Sequence, residues 1–364
     1  MPFDVRDFPG APPGAWAAKP AGRRLVAVWL FTIAGMVLVM VALGGLTRLT
    51  GSGLSIMEWA PLMGTLPPLS DAEWQRLYSL YQQIPQYHLV NQGFGLSGFK
   101  HIFWLEWAHR FWGRLIGLAV LLPLLWFWRR GLIDRRLARG LFALFLLGGL
   151  QGAVGWFMVA SGFEADRTSV EPLRLTTHLA LALLLYGAIV WVGLSVLQPQ
   201  PRANPAPAWL RRLTLTAAGL VSLTILAGGF VAGLHAGLDY NTFPFMDGRL
   251  IPSGYANLHP ILRNLTENIA AVQFDHRLLA TLSVLMTGAL VAVGLRTHPV
   301  TQRGPLIAVG CAAVLQYGLG IATLLLAVPV ELASAHQIGA TVLLTTLLVL
   351  LHALRPVRIP VRAP

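Results

Sequence analysis

The sequence predicts an all-α integral membrane protein, with eight transmembrane helices arranged as two pseudo-symmetric four-helix bundles. Three observations carry this expectation. Of the 364 residues, 55% are hydrophobic and 12% charged, with a mean hydropathy of +0.63, a balance outside the range of soluble domains. Eight apolar stretches each approach the roughly 20 residues that cross about 30 Å of hydrocarbon. The motifs of the first four stretches then recur, in order, in the last four.

Taken along the chain, residues 1–23 are rich in Pro, Ala and Gly and lack a long apolar core, so they read as a disordered cytoplasmic tail rather than a cleaved signal. Helix one centres near Val37 and leads into a first outer loop, 47–106, that carries Trp59, Trp74 and Trp104. Helices two, three and four centre near Leu118, Leu150 and Leu184, completing an N-terminal half at 24–197. A Pro-rich cytoplasmic linker, 198–211, precedes the C-terminal half at 212–354, with helices centred near Leu223, Val284, Leu315 and Leu344; 355–364 is a second tail. The single cysteine, Cys311 in helix seven, excludes an intramolecular disulfide and any Cys-x-x-Cys motif, and is expected to be a small buried filler.

Charge placement sets the orientation. With the N-terminus in the cytoplasm, the inner segments hold 17 Arg or Lys against 3 acids, and the outer loops 6 against 11, a positive-inside pattern. It is densest at Arg129, Arg130, Arg135, Arg136 and Arg139. The net charge of +12 is therefore topological, and no nucleic-acid partner is expected. Outside this pattern stand Arg110, Arg114, Arg174, Arg277 and Asp275, near the outer ends of helices two, four and six. An arginine at mid-membrane costs roughly 2.5 to 3.5 kcal/mol, and less toward the interface, so these residues call for anionic partners or for water; snorkelling is the simpler account.

The repeat is explicit in the letters. Gly44-Gly45-Leu46 with Gly53-Leu54 recurs as Gly228-Gly229-Phe230 with Gly237-Leu238, and Leu150-Gln151 with Gly155 recurs as Leu315-Gln316 with Gly320. His109-Arg110 recurs as His276-Arg277, and His178 maps onto His336. Four crossings return the chain to its starting side, so both halves run in the same orientation.

Four histidines thus become two pairs, His109 with His178 and His276 with His336, each placed about one turn inside the outer end of a membrane helix. Ionisable groups in membrane helices point to function. One pair per half is too few for a zinc site, which takes three or four protein ligands, whereas heme takes one or two axial ligands and helix bundles hold such groups between facing helices. Arg110, Arg174 and Arg277, with the positive helix N-termini, would then meet anionic propionates. His88, His101 and His259 in outer loops, His298 in an inner loop and His352 at the inner end of helix eight read as interface or surface residues. His235 aligns with Gly51 and is not expected to be a ligand.

The run Gly44-Gly45-Leu46-Thr47-Arg48-Leu49-Thr50-Gly51-Ser52-Gly53-Leu54-Ser55, the stretch from Phe99 to Arg110 and Asn241-Thr242-Phe243-Pro244-Phe245-Met246 resemble the heme A synthase family over nearly all of the chain after residue 24. The resemblance implies oxidation of the C8 methyl of heme O to a formyl group, a four-electron step giving heme A for cytochrome oxidase. It implies heme O as substrate between His109 and His178, a heme b cofactor ligated by His276 and His336, and Glu106, in Glu106-Trp107-Ala108-His109, as the catalytic carboxylate. The setting it implies is a bacterial inner membrane, with heme sites toward the outer face. Its candidate partners are heme O handed over by a heme O synthase, membrane lipid, an electron donor or acceptor, and further copies of the chain. Some members carry a cysteine pair in the first outer loop; this chain has none there, so that loop is expected to cover the substrate site or meet a partner, or simply to anchor at the interface.

A di-heme cytochrome passing electrons from quinol is the rival reading, and a transporter built on a repeated four-helix unit a third. Where Glu106 has Gln273 opposite it in the repeat, the amide reads as a neutral, nearly isosteric substitute at a site that needs no proton acceptor, so Gln273→Glu is expected to leave conversion of heme O to heme A largely intact. The charge pattern predicts that reporter fusions after Arg139 and after Asp71 report opposite sides of the membrane; both on one side would defeat the eight-helix topology.

Overall fold

The computed structural model describes residues 18–19, 22–60, 63–200, 207–297 and 302–356. Most of the N-terminal tail, part of the linker, His298 and all but the start of the C-terminal tail lie outside them. In chain order the helices are α1 (Arg23–Leu49), α2 (Asp71–Tyr81), α3 (Pro85–Leu89), α4 (Gly95–Arg129), α5 (Arg135–Ala160), α6 (Pro172–Leu197), α7 (Ala208–Gly233), α8 (Asn264–Glu267), α9 (Ile269–Thr297), α10 (Arg303–Leu325) and α11 (Val330–Ala353). Among the described residues, eight are long and apolar enough to cross a membrane: α1, α4, α5, α6, α7, α9, α10 and α11. They contain every predicted centre. A continuous helix satisfies its own backbone polar groups, which hydrocarbon demands.

Buried side chains knit the helices in groups. Ile33, Ala34 and Val37 of α1 meet Leu185, Tyr186, Ile189 and Val190 of α6. Leu210, Ala217 and Val221 of α7, Leu290 of α9, Leu306 and Val309 of α10 and Leu343, Leu347 and Leu350 of α11 form another core, which also takes in Leu183 of α6. Polar contacts tie the groups together. Gln337 of α11 donates to the Val41 carbonyl of α1 at 2.7 Å, Tyr186 of α6 meets Thr345 of α11 at 2.8 Å, and the Arg48 guanidinium of α1 donates to the Ala232 carbonyl of α7.

Several expectations change. α4 has 35 residues, about 52 Å of helix, far more than a bilayer core needs. Its first turns carry Phe99, Ile102 and Phe103 into a buried cluster with Leu54, Trp74, Leu77, Tyr81 and Ile84. His109 accordingly lies about four turns inside its helix rather than one, and His101 is helical rather than in a loop. Cys311 is exposed; on a membrane helix an apolar residue faces lipid as readily as core. His352 is buried, its ring edge-on to Trp191 and 3.3 Å from Ser195 Oγ of α6, because α11 packs there against α6. At the expected tail, Lys19 N donates to the Leu132 carbonyl at 3.0 Å and Ala18 is buried.

The first loop is folded, not extended. Ser70 caps α2 by accepting from Glu73 N at 3.2 Å. Arg76 of α2 grips both oxygens of Glu58 at 2.8 Å and also Glu73, and its hydrogen bonds hold both carboxyls below the usual carboxylate range. Trp74 stands edge-on to Phe103 at 4.9 Å between centroids. Trp74→Ala should cost about 3 to 5 kcal/mol of this unit's stability, read as a large rise in limited proteolysis between residues 63 and 94 while the membrane helices remain protected.

Candidate functional site

At one end of the bundle, two loops return to the helices that carry the histidines, and they do so alike. Arg110 of α4 donates to the Ile56 carbonyl at 2.6 Å and the Glu58 carbonyl at 3.0 Å. Arg277 of α9 donates to the Tyr240 carbonyl at 2.6 Å and the Thr242 carbonyl at 2.7 Å. Each arginine also meets the residue one turn before it, Glu106 at 2.5 Å and Gln273 at 2.7 Å, since positions four apart share a helix face. The repeat therefore extends into loop geometry. Gly51 and its mate His235 both adopt positive φ, 65° and 54°, where each ends a helix; glycine is the natural residue there.

The halves part at one pair. Glu106, 3% exposed, accepts from the Ser55 hydroxyl at 2.7 Å and from Ile56 N at 2.8 Å. Gln273 instead donates, to the Ala236 and Asp239 carbonyls, both at 2.6 Å. The carboxyl is an acceptor among donors and the amide a donor among acceptors, so the two are not the interchangeable isosteres that sequence suggested.

The repeat predicts two pairs of histidines, and His276 and His336 stand ring to ring. The rings of His276 and His336 stand 6.5 Å apart, centroid to centroid, crossed at 88°. A ligating imidazole nitrogen sits about 2 Å from its metal, and adding the ring radius on both sides puts two opposed imidazoles roughly 6 to 6.5 Å apart. This spacing fits a metal held between two axial histidines. His109 of α4 lies against Gly44 of α1, and His178 of α6 against Gly155 of α5. Among the described residues no group of three or more His, Cys, Asp or Glu side chains comes together as a bare metal ion needs.

Neighbouring helices hold each ring. His276 Nδ1 lies 3.0 Å from the Thr224 carbonyl; a carbonyl only accepts, so Nδ1 carries the proton and Nε2 presents its lone pair. On the second histidine of each pair a glutamine grips both backbone and ring. Gln316 Nε2 donates to the His336 carbonyl at 2.9 Å and is 3.0 Å from ring Nδ1. Gln151 Nε2 donates to the His178 carbonyl at 3.0 Å and is 3.3 Å from ring Nε2. The other nitrogen of His178, Nδ1, is buried without a protein partner. His109 is the exception, making no side-chain hydrogen bond among the described residues; Met40 stands where Thr224 stands in the repeat.

The remaining expected residues also have partners. Arg174 pairs with Glu171 at 2.8 Å and with Glu164 at 3.6 Å, over the Phe157 ring. Asp275 accepts from the Tyr255 hydroxyl at 2.8 Å, and Arg114 donates to the Ala60 carbonyl at 2.8 Å. At the loop between α7 and α9, burial and the charge of Arg48 push His235 below the ordinary histidine range. Ser55, Thr224, Gln151 and Gln316 were not expected. Only the glutamines left a signal in the sequence, as repeat-matched letters one helical turn before a repeat-matched glycine.

Fold and site define a class: a multi-pass helical membrane protein with a duplicated, paired-histidine site. The chain belongs to the cytochrome oxidase assembly protein family, whose model matches residues 27–348. It is 61% identical over 333 residues to the heme A synthase of Granulibacter bethesdensis, covering 92% of this chain and 88% of that one. The heme A synthases of Rhodospirillum centenum, 49% identical over 356 residues with 98% and 94% covered, and of Methylobacterium radiotolerans, 49% identical over 323 residues with 88% and 87% covered, are also similar to it.

Because Gln273 donates to two carbonyls, Gln273→Glu sets an acceptor against acceptors in a buried place. It should destabilise the loop at 236–242 by about 1 to 3 kcal/mol, seen as a lowered melting temperature of the detergent-solubilised protein. An unchanged melting temperature would show that the loop re-forms around the carboxyl.

Proposed function

We propose that this protein is a heme A synthase, an oxidoreductase of the membrane that converts heme O to heme A for cytochrome oxidase. The observation that carries the reading is a duplicated paired-histidine site in which only one copy holds a buried carboxyl three residues before its first histidine. Electron transfer alone has no use for that difference, and a reaction that moves protons does.

The assignment of halves follows from it. Heme O sits between His109 and His178 in the N-terminal half, 24–197, beside Glu106. Heme b is ligated by His276 and His336 in the C-terminal half, 212–354. Two features support this division. His276 has a fixed tautomer and a backbone anchor, as suits a resident cofactor, while His109, whose ring makes no hydrogen bond among the described residues, suits a substrate that enters and leaves. Heme b, when bound, supplies a one-electron store for a reaction that must remove electrons.

Glu106 is the group that takes or returns a proton, and Ser55, Ile56 N–H and Arg110 fix where its two oxygens stand. Arg110, Arg174 and Arg277 are the propionate partners. In support, Arg277 Nε is buried with no protein partner among the described residues, although the other donors of Arg110 and Arg277 hold loop carbonyls. The location is a bacterial inner membrane with both termini cytoplasmic and the histidine end outward. Heme O arrives from a heme O synthase.

Expressed in bacteria that make heme O, the protein should yield extractable heme A. Glu106→Gln should lose conversion by about a hundredfold or more, and because its amide NH2 must face a donor of Ser55, Ile56 or Arg110, the loss counts as catalytic only where both hemes remain bound and the melting temperature falls no further than in Ser55→Ala. Replacing His276 or His336 should abolish the low-spin heme b spectrum, and replacing His109 or His178 should spare it while stopping conversion. Protoheme alone, on a folded and reducible protein, would favour the quinol-linked cytochrome instead.

A further inference from the structure

Each of the four histidines abuts a glycine of the neighbouring helix, and the four glycines are repeat mates. A Cβ at Gly44 of α1 would stand 3.2 Å from His109 Nε2, and one at Gly228 of α7 would stand 3.0 Å from His276 Cε1. A Cβ at Gly155 of α5 or Gly320 of α10 would stand 2.8 Å from Cε1 of His178 or His336. Carbon atoms make contact at about 3.5 to 4.0 Å, so a side chain at Gly155 or Gly320 must displace the ring, and one at Gly44 or Gly228 presses it by a few tenths of an ångström. Other glycines of the same helices are unlike them. Gly219 of α7 and Gly318 of α10 would place a Cβ in open space.

A second device works on the same rings. Gln151 and Gln316 lie one turn before Gly155 and Gly320, so each glutamine and glycine share a helix face and close on one histidine from two sides. The glycine sets how near the helix comes, and the amide ties the histidine backbone at 2.9 to 3.0 Å. Small residues let membrane helices approach, but helix packing alone does not require that each one meet an imidazole.

We propose that Gly44, Gly155, Gly228 and Gly320 are positioning residues, which fix the rotation of each axial imidazole and thereby the crossed arrangement of the two rings that hold a heme. In the C-terminal half the rings are crossed at 88°. Perpendicular axial planes split the two iron d orbitals of π symmetry little. The ferric low-spin centre then has a strongly anisotropic EPR signal, whereas parallel planes give a more even, rhombic one. The orientation of the ligands is in this way a spectroscopic quantity, distinct from activity. The inference rests on the proposed bis-histidine heme b site.

The test compares single alanine variants of the full-length, heme-loaded protein. Gly228→Ala and Gly320→Ala should convert the anisotropic heme b signal to a rhombic or high-spin one. Gly219→Ala and Gly318→Ala should leave it unchanged, since alanine in a helix is otherwise favourable. Gly44→Ala and Gly155→Ala should keep the heme b signal and lower heme A formation by roughly tenfold to a hundredfold, the usual effect of disturbing what orients a metal ligand. If Gly228→Ala and Gly320→Ala fold, bind heme b and keep the parent signal, the inference is overturned. Should both fail to accumulate, Gly44→Ala, whose contact is the mildest, decides it, and full conversion there overturns it equally. A parent protein with no bis-imidazole signal would instead defeat the cofactor reading itself.

Discussion

An imidazole inside an apolar helix serves as a ligand when its ring is kept from turning, by a hydrogen bond to one of its nitrogens or by a neighbouring backbone close against its face. Lipid offers no hydrogen bond and no rigid wall, so the restraint has to come from another helix. Here it also comes at glycines, where α1, α5, α7 and α10 each bring bare backbone against a histidine of the next membrane helix, α4, α6, α9 and α11. The same approach extends between the helix groups. Gly45, next to Gly44, leaves room for the Gln337 amide, which bonds to α1 at Val41, and Gly229, next to Gly228, faces Thr176 and Leu179 of α6. Consecutive glycines thus hold a histidine with one residue and a neighbouring helix with the next.

A second constraint works at the histidine end of the bundle. Loop carbonyls near a membrane interface need donors, and Arg110 and Arg277 supply them with two N–H groups each. Their charges are therefore part of the fold as well as candidates for binding anions. The residue one turn earlier completes each clamp, and there the two copies diverge. A carboxyl recruits the Ser55 hydroxyl and Ile56 N–H, whereas an amide recruits two carbonyls. The loop backbones turn opposite faces to the helix to suit, so the difference between the halves is built into main-chain direction and cannot be exchanged by swapping one side chain.

The repeat and its one point of difference underlie the two roles proposed for the two copies. The cradle that orients a histidine is common to both copies. What differs is the anchoring of the first histidine, through Thr224 in one half only, and the chemistry of the group beside it.

The sequence by itself determined the eight apolar helices, the recurrence of the histidines and the family, because apolar length, charge asymmetry and recurring motifs are properties of the letters alone. The tertiary structure decided which faces are buried. In a membrane the apolar signal marks lipid-facing and core-facing positions alike, which is why Cys311 proved exposed and His352 buried. It also decided the length of α4, whose first turns are stabilised by Trp74 and Tyr81 from a distant segment rather than by their own periodicity. Above all it decided direction. Whether Glu106 accepts and Gln273 donates, and whether a glycine meets a ring or open space, depends on distances of a few ångströms between segments far apart in the chain, and no local pattern of residues records them.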